Sequence, residues 1–208
     1  VQQWESSDTD LSYLSLSNSN RTMTRLAFGS NGYKTGRGSV VISGKKYWEI
    51  EVDANRQGSS NFYLIGVSPG SANGTVPGIT SNNSCTFGGG RSGYTNGSQV
   101  YVSPFASQTV SSAGDTGTNF FVGCLAYDSS NRYLWMGALN GSNQPEWFHN
   151  GSGYGNPAAG TNPAFVVGGS ADMYPVGALW YAAGGDNLLA RFLAAHIVGT
   201  PPSGFSAF

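Results

Sequence analysis

The chain has 208 residues, of which 39% are hydrophobic and only 10% charged, with a formal net charge of −1. Length and apolar content suffice for one large β domain with a real core. The lack of clustered cations argues against nucleic acid and anionic membrane surfaces as partners, and no run approaches the ~20 apolar residues of a helical membrane span. Glycine, at 31 residues, with abundant Ser and Asn, signals many tight turns, because these residues tolerate positive φ or bond their own backbone. Val1 is not an initiator methionine and no signal-peptide pattern opens the chain, which fits a processed chain or a piece of a longer protein.

In chain order, β character recurs at residues 23–28, 47–52, 62–67, 99–102, 120–127, 133–138, 164–167, 176–181 and 188–192, with turn clusters between. Short strands at this spacing, without helix–strand alternation, predict an all-β fold: a two-sheet antiparallel β-sandwich. In YWEIEVD, period two sends Trp48, Ile50 and Val52 to the core, and Tyr47, Glu49, Glu51 and Asp53 to the outside. FYLIGV and FFVGCLAY are apolar on both faces, as central strands or strands hidden by loops would be. The stretch 68–117 is long for one connection, so one or two short strands are expected within it. A polar link from Asp128 to Arg132 predicts one hairpin, and Asn140–Gly141 predicts a type I′ turn. In NLLARFLAAHIV the apolar spacing fits an amphipathic helix capped by Asp186 or Asn187, so helix and strand both stay open at 188–198. Pro201 and Pro202 end regular pairing. Cys124, in an apolar run, reads as a buried thiol. A bridge from it to Cys85 in a polar loop stays open.

Little reactive chemistry is legible. Glu49, Glu51 and Asp53 share one strand face, and a retaining glycosidase needs two carboxyls about 5–5.5 Å apart, but an ordinary solvent-facing strand explains the same pattern. His149 and His196 are the only histidines, and no nucleophile–base–acid set accompanies them. Ligand spacings for zinc or calcium and a phosphate-cradling loop are missing. No catalytic residue, metal ligand or cofactor is therefore expected. Trp147, His149 and Tyr154 form an aromatic, Gly-rich loop that could pack on the sandwich end or stack on a ligand such as a sugar ring.

Four ordered stretches resemble the SPRY domain. They are SGKKYWEIEV (43–52), FYLIGVSPG (62–70), GD at Gly114 and Asp115 followed by FVGCLAYD and RYLWMGALNG, and the closing MYPVGALW with LLARFLAAHIVGTPPSGFSAF. The resemblance runs over residues 14–208, with 1–13 as a segment leading in. It implies a concanavalin-like jelly-roll sandwich and a strand, rather than a helix, after Asn187. One departure is that Arg191, Phe192 and Leu193 stand where the family carries Asn-Phe-Gly. Another is the long insert between Gly70 and Gly114. NPAAGTNPAF (156–165) and LSLSNSNRT (14–22) are similar to the bacteriophage variant of the family. That likeness implies a non-enzymatic structural or binding module of a virion, in a tail, fibre or capsid-surface protein. Its partners would be other virion proteins or a host-surface protein or glycan, and homo-oligomerisation is open. Family members contact partners through loops at one end of the sandwich, which makes Arg56, Phe87, Arg91 and Tyr94 candidates beside Trp147, His149 and Tyr154.

Overall fold

The alternation around Trp48 becomes strand β4, Lys45–Asp53, in the computed structural model, which describes residues 2–26, 33–53, 62–70, 85–90, 120–148, 153–180 and 185–208. Trp48, Ile50 and Val52 are buried in the core, as a two-residue period requires. β4 pairs with β7, Phe120–Asp128, on one side and with β12, Asn187–Arg191, on the other. The larger sheet has the order β1 (Leu14–Ser17), β2 (Thr22–Arg25), β12, β4, β7, β8 (Tyr133–Leu139) and β10 (Phe165–Val166). β9 (Pro145–Trp147) also pairs with β8. The smaller sheet has the order β3 (Tyr33–Arg37), β11 (Met173–Trp180), β5 (Phe62–Pro69) and β6 (Cys85–Gly90). The pairs within both sheets are antiparallel.

The sheets close on one apolar layer. Met23, Trp48, Ile50, Leu125 and Met136 come from the larger sheet, and Tyr63, Ile65, Val67 and Leu179 from the smaller. Each large side chain so buried contributes about 1.5–3 kcal/mol. The segment before β1 joins this layer. Trp4 is fully buried, its ring edge-on to Phe192 at 5.4 Å, and Gln2 Oε1 accepts from the Val40 N–H. Gly36 and Gly177 face each other across β3 and β11. A Cβ on Gly177 would lie 2.9 Å from the Trp4 ring and 2.8 Å from Leu188, so the close approach of the N-terminal segment requires glycine there.

Several local expectations are decided here. Residues 187–191 form a strand, and only Ala194–His196 make a single 3-10 turn after it. β5 and β7 are central strands buried on both faces, with Leu64 and Ser68 covered as well as Ile65 and Val67. β6 supplies a strand within 68–117, whereas the segment 99–102 lies outside the described residues. β1, β3 and β9 are strands that residue pattern alone did not reveal. The Asp128–Arg132 hairpin forms, but the Asn140 turn is not type I′. Asn140 N–H donates to the Gln144 carbonyl, and the left-handed residue is Asn143, with φ 58°. That is a three-residue connection with a bulge. Asn140 Oδ1 accepts from the N–H groups of Ser142 and Gln144, which favours it over the tighter turn. Cys124 is a free, buried thiol.

Candidate binding surfaces

Strand direction gathers four connections at one end. β2, β4, β6 and β11 stop at Arg25, Asp53, Gly90 and Trp180, and the strands that follow them start at Tyr33, Phe62, Phe120 and Asn187. Asp53 lies opposite both Phe120 and Asn187, Asn187 opposite Thr24, Phe62 opposite Gly90, and Trp180 opposite Tyr33. The connections 26–32, 54–61, 91–119 and 181–186 therefore leave and rejoin the sandwich at one end. Arg56 belongs to the second of them, and Arg91 and Tyr94 to the third. All three lie outside the described residues. Phe87 is on β6 opposite Ile65, on a border strand of the smaller sheet, and its side chain lies outside the described set.

The outer face of the larger sheet is not open to solvent as the alternation of β4 suggested. The chain after β12 runs back across it. Tyr47, Cys124, Ala126, Trp135 and Leu139 are buried there, packed with Phe205 and Ile197 of the C-terminal segment. Glu49 has no exposed surface. Its Oε1 accepts from the Tyr47 hydroxyl at 2.9 Å and the Gly199 N–H at 2.7 Å, and its Oε2 accepts from the Val198 N–H at 3.0 Å. Arg191 lies 3.5 Å from Glu49 and also binds Glu51. Glu49, predicted to face solvent, is thus a clamp for the C-terminal segment, while Glu51 is tied to Arg191, and the side chain of Asp53 lies outside the described set. Burial pushes the Tyr47 phenol far above its ordinary value, with Cys124 and Glu49 adding to the shift. Burial raises the Cys124 thiol as well, reinforced by Glu49. Lower down, Lys46 Nζ donates to Ser206 Oγ and to the Ala207 carbonyl, and Phe205 meets Trp135 edge-on at 5.9 Å.

Trp147 and Tyr154 lie at the border of this same face, not at the strand ends that the four connections join. Trp147 is half-buried, edge-on to the Tyr47 ring at 6.4 Å. Tyr154 is 70% exposed, on a loop held by the Asn162 side chain, which donates to its carbonyl. His149 lies outside the described residues. His196 is half-buried in its 3-10 turn, and burial together with Arg21 lowers its pKa.

At the opposite end of the sandwich, a cleft of about 280 Å³ opens between Val41, Ser43, Ser129, Arg132, Ala171 and Asp172. Arg132 sits in the left-handed region, with φ 56°. Its guanidinium donates to the carbonyls of Val167, Gly168 and Ala171, so its role on the cleft wall is to hold the 167–171 backbone. Residue pattern gave no sign of this; only the register of β8 against β10 brings the two together. Among the described residues there is no cluster of metal-ligating side chains.

Neither a protein-family model nor a curated protein sequence matches the chain. Among solved structures, the SPRY domain of human HERC1 superposes with a TM-score of 0.53 at 18% identity, over 90% of this chain and 96% of that one. Stonustoxin superposes with a TM-score of 0.57 at 13% identity, over 91% of this chain but only 28% of the toxin chain. At such identities the likeness is one of fold, and the chain has a SPRY-like β-sandwich fold.

Proposed function

We propose that the chain is a non-catalytic binding module of a bacteriophage particle, part of a tail, fibre or capsid-surface protein. In this reading it recognises another virion protein, or a host-surface protein or glycan, through the connections at one end of the sandwich. The observation that carries the binding reading is a contrast of surfaces. The outer face of the larger sheet is filled by the chain's own C-terminal segment, whereas four connections rich in Gly, Ser and Asn spring from a single end. Loops mounted on a rigid scaffold are the usual seat of recognition. The phage reading is supported by the similarity of 14–22 and 156–165 to phage proteins of this type. A surface short of charge and rich in polar side chains fits a particle exposed to solvent. Hydrolysis through Glu49 and Glu51 is not part of the reading, since Glu49 has no exposed surface.

A carbohydrate ligand has one observation in its favour, the exposed ring of Tyr154, because sugars bind by stacking on such rings. Two measurements test the proposal. Mass spectrometry and gold-labelled antibody on purified virions should find the chain on the particle surface, and particles without it would end the virion assignment. Replacing 54–61 with Gly-Ser linker of equal length should leave the melting temperature unchanged while abolishing binding to host cells or virion proteins. Undiminished binding would place recognition elsewhere, and on a glycan array its loss in Tyr154→Ala would favour the sugar reading.

A further inference from the structure

The larger sheet ends in β1, and its outer edge has no strand beside it among the described residues. The direction of its free groups follows from the neighbouring pairs. Arg25 N–H and C=O both bond the 185–186 backbone on the β12 side, and Arg21 C=O accepts from the Ala190 N–H. Alternation then turns Thr22 and Thr24 toward β1, where they lie opposite Ser17 and Ser15. The Leu26 N–H bond to the Tyr13 carbonyl continues the same series. The groups of Leu14 and Leu16 therefore point away from β2. The Leu14 N–H is taken by the Asp10 carbonyl; the Leu16 N–H and C=O have no partner among the described residues.

Edges of this kind are commonly blunted by cover, proline, charge or brevity. β3 is covered by the N-terminal segment, through Glu5 N–H to the Arg37 carbonyl and Asp10 N–H to the Thr35 carbonyl. β9 begins with Pro145, and β10 is two residues long. β6 is flanked in sequence by undescribed residues on both sides. β1 reads Leu-Ser-Leu-Ser, with no charge and no proline. Leu16 is only half-buried against the core, and Leu11 nearby is 51% exposed.

We propose that β1 is a self-association edge, where two copies of the chain pair antiparallel about a twofold axis at Leu16. Each Leu16 N–H donates to the Leu16 carbonyl of the other copy. The alternating sequence is its own complement in this register: Leu16 meets Leu16 on the core side, and Ser15 lies opposite Ser17 on the outer side. The contact is isologous and closes after two copies, so the occupant it fits best is a second copy rather than an unrelated strand. The contact is a single short strand pair, so the association it supports is weak.

Sedimentation equilibrium from about 1 to about 500 µM tests this, spanning the weak range that a small interface implies. The wild-type chain should pass from monomer to dimer. S15K/S17K, which puts lysines opposite each other twice per dimer, should raise the dissociation constant at least about tenfold. S15K/S17E, which puts a lysine opposite a glutamate at the same two places, should restore dimerisation to the wild-type level. Because that variant shares the Ser15→Lys change, it controls for folding, and circular dichroism of all three should agree. A wild-type chain that is monomeric throughout, a dimer indifferent to S15K/S17K, or a failure of S15K/S17E to restore it would each overturn the proposal.

Discussion

Among its described residues the larger sheet carries two buried carboxylates, Glu49 and Asp128, and their partners come from opposite distances along the chain. Asp128 is 3% exposed at the end of β7, and its oxygens accept from the Ser130 N–H, the Asn131 N–H and the Asn131 side chain, two and three residues away. Glu49 accepts from the Val198 and Gly199 N–H groups about 150 residues on. The first carboxylate closes a hairpin, and the second fastens the end of the chain to the back of a sheet. A local contact costs little loop entropy and shapes one turn. A contact spanning most of the chain holds only after the fold has closed, so its loss is felt by the whole domain.

Glu49→Ala is the harshest way to break this comparison. It strips a buried carboxylate from Arg191, the Tyr47 hydroxyl and two backbone N–H groups at once. Breaking a buried pair on one side costs about 3–5 kcal/mol, and urea unfolding should show a loss of that order. Cys124, buried beneath the same segment, should also react faster with a thiol reagent under native conditions. A loss below about 1 kcal/mol, the value of a surface pair, would mean that the clamp does not hold the segment.

Trp147→Ala asks whether the outer face depends on its border as well as on the clamp. The side chain is half-buried, its indole edge-on to Tyr47, and a Cβ added at Gly155 would lie 3.1 Å from the Trp147 Cβ. Loss of a fully buried Trp costs about 3–5 kcal/mol, and the half-burial here should bring the loss to about 2 kcal/mol. An unchanged urea midpoint would free Trp147 for a role in recognition instead.

The same distinction between near and far explains what was legible in the residues alone. The core face of β4 followed from Trp48, Ile50 and Val52, and the hairpin at Asp128–Arg132 from a polar stretch between two apolar runs. Both are local patterns. The outer face of β4 was misread because Glu49 looks like any strand carboxylate until Val198 and Gly199 arrive. NLLARFLAAHIV fits a helix because Leu188, Leu189, Phe192 and Leu193 recur at helical spacing. Pairing to β2 and β4 on both sides overrides that preference and buries Leu188 and Ala190 completely. β1, β3 and β9 are short, and β1 and β3 are rich in Ser, Thr or Gly; they become strands through their neighbours. Of the candidate binding residues, the structure places Trp147 and Tyr154 at the border of the outer face, whereas Arg56, Arg91, Tyr94 and His149 lie outside the described residues. Aromatic content could not say where a loop would lie; the direction of the flanking strands does.

Asp128→Asn gives the smallest effect and sharpens the contrast through pH. Burial alone would raise the Asp128 pKa, but Asn131, the Ser130 N–H and Lys45 together outweigh it and bring it below the usual value. A folded-state pKa below the unfolded one means that the ion contributes stability above about pH 4 and loses it as the pH falls through the folded value. At pH 7 the Asn variant should be less stable by about 1.5 kcal/mol, the lower end of the worth of hydrogen bonds to a charged group, and the gap should close only as the pH falls below the depressed folded value, where the wild-type carboxyl is protonated too. Urea midpoints for both chains across that range read it directly. A gap that stayed constant with pH would assign the hairpin's stability to shape and not to the ion.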